Sequence, residues 1–350
     1  MFSYPSATIM AKSDMNRDLR PGLLPERLAI LMHAAIKRCQ LDLSGKTVLT
    51  EAASGAYVVT PVLAAMAGAA RVYALTRSTS YGSVEEVVNQ TFSLAEVVGV
   101  RNTIEVITQK SPTVVARADI VTNSGHLRSI DATMIGWMKS GAVIPLMYET
   151  WEFRSDDVDL AACRQRGVLV GGTNERHPMI DVFSFLGILA IKLLTDAGVG
   201  VHASRVLLLC DNPFRSFLER DLKSVGASVD VCEIWSAVTD SETYDAILIA
   251  LRPRSEFVVP AAFVDMVAKR WPATIIAQFW GDIDRSACLA AGIPVWPLEA
   301  PRPGHMGILL SEIGPDPIVR LQAGGLKAAE VLLRMSSVSA QPDCDFVEVM

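Results

Sequence analysis

The sequence has few residues of the types that build metal sites, disulfide frameworks or nucleic-acid surfaces. Its 350 residues include six cysteines and five histidines, and no two cysteines have the CxxC spacing of a zinc site. Acidic residues outnumber basic ones by 38 to 32, so there is no basic excess to bind a nucleic-acid backbone. We therefore expect reduced thiols, no bound metal, and a small-molecule partner in place of nucleic acid.

Long hydrophobic runs are also missing. The most apolar stretch, residues 183–194, is shorter than the roughly 20 residues that cross a bilayer. The first 20 residues contain no apolar segment of the kind found in secretory signals. These absences predict a cytoplasmic protein with no membrane partner.

What the sequence does have is an alternation of short apolar runs with helical patterns. Strands are predicted at 46–49, 71–75, 103–107, 119–122, 142–147 and 168–170, and a second series follows at 206–210, 228–232, 246–250, 274–277 and 293–296. A strongly apolar helix is predicted at 179–194, between the two series. Strands that alternate with helices predict an α/β fold of two tandem Rossmann-like, doubly wound parallel-sheet domains. We place an N-terminal arm and helix at 1–43, a nucleotide-binding domain at 44–200, a substrate-capping domain at 201–335 and a tail at 336–350.

The two halves also match in sequence. A segment that starts at Asp159 and reaches Gly167 is answered by one from Asp284 to Gly292, with an alanine-cysteine pair at the same place in each. This predicts an internal repeat, in which residues 81–111 of the first half have no counterpart. The alternative is that any two Rossmann-like units share a glycine before a strand.

The first strand-to-helix turn is a candidate phosphate site, although it lacks the GxGxxG fingerprint. Ser54, Gly55 and Ala56 are small enough for a backbone to approach a pyrophosphate, and Ser54 adds a hydroxyl donor. The alternative is a turn that needs small residues only for packing. The corresponding turn of the second half, residues 210–214, has no glycine and carries Asp211, so we assign any nucleotide to the first half.

The end of the second strand carries Thr76, Arg77 and Ser78. Dinucleotide folds select the ribose 2′ substituent at this position, and a guanidinium with hydroxyls suits a 2′-phosphate. These residues predict NADP as the cofactor. The alternative is a solvated surface arginine.

Further polar residues follow the later strands of the first half. Asn123 and Ser124 are candidates for contacts to the nicotinamide ribose, and His126 for contact with the substrate, whereas a polar loop that caps the next helix is the alternative. Glu149 follows another apolar strand and is a candidate general base or partner of a substrate amine. A solvated acidic loop is the alternative there.

Two polar segments, 175–179 and 299–306, each combine an acid, an arginine and a histidine. We expect the acids and arginines to bind substrate and the histidines to act as acid or base. The residues concerned are Glu175, Arg176, His177, Glu299, Arg302 and His305. If the halves are true repeats, His177 and His305 approach one interdomain cleft from opposite sides. The remaining histidines, His33 and His202, are assigned structural or exposed roles.

The run from Asp157 to Asn174 resembles the D-2-hydroxyacid dehydrogenase superfamily, in which an Asp-initiated helix, a glycine and a strand lead into a Thr/Asn loop. The tandem plan is similar too, since that superfamily pairs two Rossmann-like domains around a cleft. In that superfamily the nucleotide domain is inserted between two parts of the substrate domain and carries the glycine fingerprint. Residues 210–214 lack that fingerprint and the family's Arg, Glu and His set has no match here, so the resemblance implies the architecture and no catalytic residue.

Three functions follow from these patterns. The leading one is an NADP-dependent oxidoreductase that acts on a small polar carboxylate or imine in the cleft between the domains. The second is a non-redox biosynthetic enzyme, a lyase or cyclase, or a ligand-binding protein on a degenerate Rossmann fold. The third is an interaction scaffold in which the apolar helix at 179–194 lies between the subunits of a homodimer.

Overall fold

The computed structural model describes residues 20–238, 243–254, 256–335 and 344–350. The strands are β1 (Thr47–Glu51), β2 (Arg71–Leu75), β3 (Ile104–Ile107), β4 (Ile120–Val121), β5 (Val143–Leu146), β6 (Leu169–Thr173), β7 (Arg205–Cys210), β8 (Ser228–Cys232), β9 (Ala246–Ala250), β10 (Ile275–Trp280), β11 (Val295–Trp296) and β12 (Val347–Val349). The α-helices are α1 (Pro25–Cys39), α2 (Val59–Met66), α3 (Val84–Val97), α4 (Pro112–Val115), α5 (Ala132–Trp137), α6 (Leu160–Arg166), α7 (Leu186–Asp196), α8 (Phe214–Ser224), α9 (Ala261–Arg270), α10 (Arg285–Ala291) and α11 (Asp316–Met335).

The chain forms two compact units, and the second is inserted in the first. The first unit combines Met1–Asp181 with Gly314–Met350, and the second is Val182–Ile313. The sequence-based boundaries at residues 200 and 335 differ from this division because α7 packs into the second core and α11 packs on β5 and β6 of the first. Of the predicted tail, the described part forms β12, which pairs with β6.

The first sheet has the strand order β12-β6-β5-β4-β1-β2-β3. All neighbouring strands are parallel except β12, which runs antiparallel to β6. The part β3-β2-β1-β4-β5-β6 is the classical dinucleotide-binding order, whose direction reverses between β1 and β4. Ligands of such sheets bind beyond the carboxyl ends of the strands at that reversal.

The second sheet is entirely parallel, with the order β11-β10-β9-β7-β8. This is the flavodoxin-like arrangement, which reverses between β7 and β9. When β3 is left out, the parallel strands of the first sheet have the same order as those of the second. The predicted α/β class with two Rossmann-like parallel sheets is confirmed, and the common origin of the two halves stays a prediction.

The central strands of the sheets are continuous apolar runs, as expected of parallel strands that are buried on both faces. Val206, Leu207, Leu208 and Leu209 of β7 are all 0% exposed. The apolar helix predicted from residue 179 begins only at Leu186, after a short 3-10 turn at Phe183–Phe185. Asp181 has a φ of 54°, a left-handed conformation that a right-handed helix cannot contain.

Helix α11 was absent from the sequence-based prediction. Two adjacent glycines let it approach the first sheet closely: a Cβ on Gly324 would lie 2.7 Å from Ile180 Cδ1, and one on Gly325 would lie 2.4 Å from Met147 Sδ. Any larger side chain there would require its neighbours to move. This close contact places α11 in the first core, far along the chain from the strands it covers.

Helices α6 and α10 have matching caps, which explains the sequence match between them. Asp159 accepts a hydrogen bond from Ala162 N at 2.9 Å, and Asp284 accepts one from Ala287 N at 3.0 Å. Gly167 and Gly292 end the helices with φ of 65° and 70°. Each helix is therefore fixed at both ends by the residues that match.

Asp159→Ala is expected to destabilise the first unit and Asp284→Ala the second, each by about 1 kcal/mol, because a backbone N–H of the first turn loses its acceptor. Hydrogen exchange of each unit would measure the two losses separately. Asp156→Ala, which removes an exposed carboxylate just before α6, serves as the control. Equal effects of Asp159→Ala and Asp156→Ala would contradict the capping role.

Candidate functional site

Polar side chains gather where β1, β4, β5 and β6 end, beside the reversal of the first sheet. Glu51 is the last residue of β1, and Asn123 follows β4. Glu149 and Glu175 follow β5 and β6. All four are buried, although carboxylates and amides are usually exposed. This edge of the first unit is the candidate site.

The turn after β1 is open in front of Gly55 but its donors are occupied. Gly55 has a φ of 64°, and a Cβ placed on it would meet no atom within 4 Å. Its N–H donates to Gln90 Oε1 at 3.2 Å, and Ser54 Oγ donates to the carbonyl of Tyr81 at 2.9 Å. Ala56 is buried. A phosphate could reach this turn, and it would replace the Gln90 side chain as acceptor.

Arg77 and Ser78, after β2, are exposed. Arg77 Nε donates to His126 Nδ1 at 3.2 Å. Burial and the Arg77 charge both lower the pKa of His126, so its imidazole is neutral at pH 7. His126 was predicted to face the substrate, and the structure places its ring beside Arg77.

Two hydroxyls predicted to contact the cofactor are enclosed. Thr76 is 0% exposed, and its Oγ1 has no hydrogen-bond partner among the residues that the structure describes. Ser124 is 3% exposed and shares a 2.7 Å hydrogen bond with the hydroxyl of Thr122. A ligand would reach either group only if the surrounding residues moved.

Asn123 holds a buried network together. Its Nδ2 donates to the hydroxyl of Tyr148 at 2.7 Å, and its Oδ1 accepts from Arg128 Nε at 3.1 Å. The Tyr148 hydroxyl in turn donates to Asp157. Because both ends of the amide are used, Asn123 orients these groups, whereas the sequence had suggested a contact to a sugar.

Glu149 and Arg176 form an ion pair at the ends of β5 and β6. Glu149 is 3% exposed and accepts from Arg176 Nε at 3.1 Å and from Trp151 Nε1. The Arg176 side chain is half exposed. The arginine that was predicted to hold a substrate anion therefore neutralises a buried carboxylate of the protein.

Further carboxyl groups share this region without such a partner. Burial, followed by the charges of Glu152 and Glu149, raises the pKa of Glu175 well above its usual value. Burial and the Glu149 charge raise the pKa of Glu152 to about 7. Burial and the charges of Glu51 and Glu175 raise the pKa of the Tyr57 hydroxyl to about 12. The site therefore retains protons near neutral pH.

Glu51 lies under the loop that follows β4. It accepts from the backbone N–H of His126 at 3.1 Å, and a Cβ on Gly125 would lie 2.3 Å from Glu51 Oε2. Burial raises its pKa, and the His126 N–H and Arg128 partly oppose that rise. The sequence analysis missed Glu51, Tyr57 and Arg128. The available signal for Glu51 was a charged residue that ends an apolar strand just before a turn of small residues.

His177, in the polar segment after β6, is packed against the end of the chain. Its ring stacks on Phe346 with centroids 3.8 Å apart, and its Nδ1 accepts from Met179 N at 3.1 Å. That bond places the proton of the neutral ring on Nε2. His177 thus has a defined tautomer and orientation within the first unit.

The matching segment of the second unit lies after β11. Glu299 and Arg302 are exposed, and the backbone N–H of His305 donates to the Arg302 carbonyl at 2.9 Å. Gly304 N donates to Asp282, which anchors the segment. The approach of His177 and His305 to one cleft involves both units and stays a prediction.

The first turn of the second unit is closed by its own side chains. Asn212 Oδ1 accepts from Phe214 N at 3.0 Å, at the start of α8, and Asn212 Nδ2 donates to the Ala250 carbonyl at 2.6 Å. Asp211 accepts from Arg252 N at 2.8 Å and pairs with Arg254. A pyrophosphate would have to displace these groups.

The two sheets together define a protein of two Rossmann-like units, one inserted in the other, which is the architecture implied by the D-2-hydroxyacid dehydrogenase resemblance. Among solved structures the chain is similar to one subunit of the dipicolinate synthase from Bacillus halodurans, with 12% identity and a TM-score of 0.55 over 85% of this chain and 100% of the other. The corresponding dipicolinate synthase chain from Bacillus subtilis gives the same identity and TM-score over 85% and 99% of the two chains.

A putative D-3-phosphoglycerate dehydrogenase from Ralstonia solanacearum also aligns, with 10% identity and a TM-score of 0.47 over 87% of this chain and 98% of the other. At these identities the likeness to solved structures concerns the fold. No family model and no curated protein matches the sequence. Among the described residues, no helix is both long and apolar enough to cross a membrane.

The residues on the β1–β2 side of this edge fit a nicotinamide dinucleotide of the kind predicted from the sequence. The space before Gly55 is open, and Arg77 and Ser78 are exposed where β2 ends. The enclosed Thr76 and Asn123 do not take part in that fit. Of the residues predicted to hold the cofactor, those that such a molecule would contact here are the Gly55 turn and the pair Arg77 and Ser78.

Proposed function

We propose that the protein is an NADP-dependent oxidoreductase of small polar carboxylates or imines, with its cofactor along the carboxyl edge of the first sheet. The observation that carries the proposal is the exposed Arg77 at the end of β2 in a sheet of dinucleotide-binding order. A guanidinium in this position pairs with a 2′-phosphate, whereas an acidic residue pairs with a free 2′-hydroxyl. The shared fold with known structures supports the architecture on which this rests.

The roles of the residues follow from their places along the edge. Arg77 and Ser78 would hold the 2′-phosphate, and the N–H of Gly55 the pyrophosphate. The bound cofactor supplies hydride transfer. The residues at the ends of β5 and β6 would hold the protons that accompany hydride transfer. Of these residues, Glu175 and Glu152 keep a proton near pH 7. His177, with its proton on Nε2, is a further donor in the same unit.

Arg77→Glu is expected to weaken NADPH binding by about a hundredfold and to spare NADH, because it replaces a phosphate-binding cation by an anion. Calorimetric or fluorescence titration of the purified protein with NADPH and NADH measures both affinities. Arg27→Glu makes the same charge change at an exposed position of α1. It should leave the affinities for NADPH and NADH unchanged.

Two results would contradict the proposal. Absence of saturable binding of either nucleotide at high micromolar concentration would remove the redox function. If the wild type and Arg77→Glu bind NADPH equally well, the proposed preference for NADP is wrong. The proposal of a nicotinamide cofactor would still stand.

A non-redox enzyme or ligand-binding protein is the second candidate, and the occupied donors favour it. Gly55 N–H already bonds to Gln90, and the corresponding turn of the second unit is filled by Asn212. Under this function the edge of the first sheet holds a smaller ligand, and Arg77→Glu changes neither activity nor stability. The same titration therefore separates the two candidates.

A homodimer belongs to the proposal as well, and so do the roles of Glu299 and Arg302 in substrate binding and of His305 as an acid or base. The apolar helix that suggested the subunit contact buries Leu186, Leu189 and Leu193 inside the second core. Light scattering of dilute protein measures the oligomeric state. A monomer at working concentration would remove the dimer and leave the proposed chemistry unchanged.

A further inference from the structure

The exposed guanidinium of Arg77 has an uncharged partner. Its Nε donates to Nδ1 of His126 at 3.2 Å, and it forms no ion pair with a carboxylate within the described residues. The His126 imidazole is neutral, because burial and the Arg77 charge lower its pKa. At the same edge of the sheet Arg176 is neutralised by Glu149. Arg77 therefore keeps its charge for an anionic ligand, whereas Arg176 does not.

The loop that carries His126 is anchored on both sides of the imidazole. The backbone N–H of His126 donates to Oε2 of the buried Glu51 at 3.1 Å. The preceding Gly125 lies against the same carboxylate, since a Cβ there would be 2.3 Å from Glu51 Oε2. The following Leu127 is 0% exposed, and its carbonyl accepts from Lys110 Nζ at 2.8 Å. His126 thus offers Nδ1 to Arg77 from a fixed backbone.

The bond to His126 orients the Arg77 side chain before any ligand binds. An exposed arginine otherwise samples many rotamers, and fixing it on ligand binding costs free energy. The bond uses Nε alone, and the terminal nitrogens make no hydrogen bond in the described part of the chain. Guanidinium nitrogens bind phosphate oxygens in pairs. A carboxylate in place of the imidazole would orient Arg77 as well, but it would also neutralise the charge.

We propose that His126 is a positioning residue that sets the preference for NADP, because it holds Arg77 ready for the 2′-phosphate and leaves the arginine's charge available. His126 acts on the phosphate through Arg77. The inference rests on the proposed function, and it gives His126 a role in cofactor specificity where the sequence had suggested contact with the substrate.

His126→Leu removes the acceptor and keeps the approximate size of the side chain. It is expected to weaken NADPH binding by about five- to tenfold and to spare NADH, because only the 2′-phosphate depends on Arg77. His126→Asn puts an amide oxygen near the position of Nδ1 and should recover most of the NADPH affinity. Calorimetric titration of the full chain with each nucleotide measures these affinities. His33→Leu, at an exposed position of α1, is the matched control and should bind both as the wild type does.

A double-mutant cycle with Arg77→Ala tests whether His126 acts through the arginine. In the Arg77→Ala background, His126→Leu should cause no further loss of NADPH affinity, because the bond between the two side chains is already gone. Additive losses would show that His126 affects the nucleotide by another route, and they would overturn the proposal.

Two other results would overturn it. His126→Leu could keep the wild-type ratio of NADPH to NADH affinity, or His126→Asn could lose as much NADPH affinity as His126→Leu. Failure of the proposed function gives a different pattern. A wild type that binds both nucleotides equally, or neither, removes the preference for NADP and the role of His126 with it. A preference that is lost in Arg77→Glu and kept in His126→Leu overturns this inference alone.

Discussion

Replacing Glu152 and Glu175 together with glutamine is expected to stabilise the first unit at pH 8 and to leave its stability unchanged near pH 4. Both carboxyls have a higher pKa in the folded protein than the usual value of 4.5. A group that binds its proton more tightly when folded releases it on unfolding, so rising pH favours the unfolded chain. The stability penalty begins above the unfolded pKa and is complete above the folded one.

For Glu152 the folded pKa is about 7, so the penalty develops between roughly pH 4.5 and pH 7. A difference of this size corresponds to a gain on the order of 3 kcal/mol at pH 8 from Glu152 alone, and the double variant should gain at least that much. Hydrogen exchange of the first unit, compared between wild type and variant at each pH, measures the gain. Equal stability of the two proteins at pH 8 would show that these carboxyls ionise freely.

Lys327→Met is expected to lower the free energy of unfolding of the first unit by about 3 to 5 kcal/mol. The Lys327 and Glu330 side chains are 4% and 6% exposed, and Nζ lies 2.9 Å from Glu330 Oε1. Nζ also donates to the Gln40 carbonyl at 3.1 Å, where α1 ends. Removing the cation leaves the carboxylate of Glu330 buried, and Arg334 is then its only charged partner in the described part of the chain.

Urea unfolding and hydrogen exchange of α1 and α11 measure this loss. Adding Glu330→Gln to Lys327→Met should recover part of it, because a neutral amide still accepts from Asp42 N and no longer buries a charge. Lys192→Met breaks an exposed pair with Asp196 and should cost less than about 1 kcal/mol. A loss of that small size for Lys327→Met would contradict the structural role of the pair.

The order of β1 to β11 was predictable because each of these strands is a short apolar run bounded by turn residues. The predicted bounds of β8 and β9 coincide with those observed. Insertion of one unit into the other was not predictable from local patterns, because it depends on where α7 and α11 find an apolar surface. Periodicity shows that a helix has a buried face and does not show which core receives it.

The candidate site was predictable in location and less so in the roles of its residues. Polar residues after apolar strands led to Glu149, Glu175 and Arg77, all of which lie at the edge where the fold binds ligands. The sequence could not show that Asn123 has both ends of its amide engaged, or that Arg176 neutralises Glu149. Such partners lie on different strands and are brought together only by the sheet.

The discontinuous first unit has a consequence for the order of folding. Domains generally fold during synthesis in the order in which they leave the ribosome. Here the first core needs α11 and β12, which are made after all of the second unit. Residues 182–313 can complete their own core while residues 20–181 still wait for those elements. During translation the inserted unit is therefore expected to become resistant to proteolysis before the unit that precedes it.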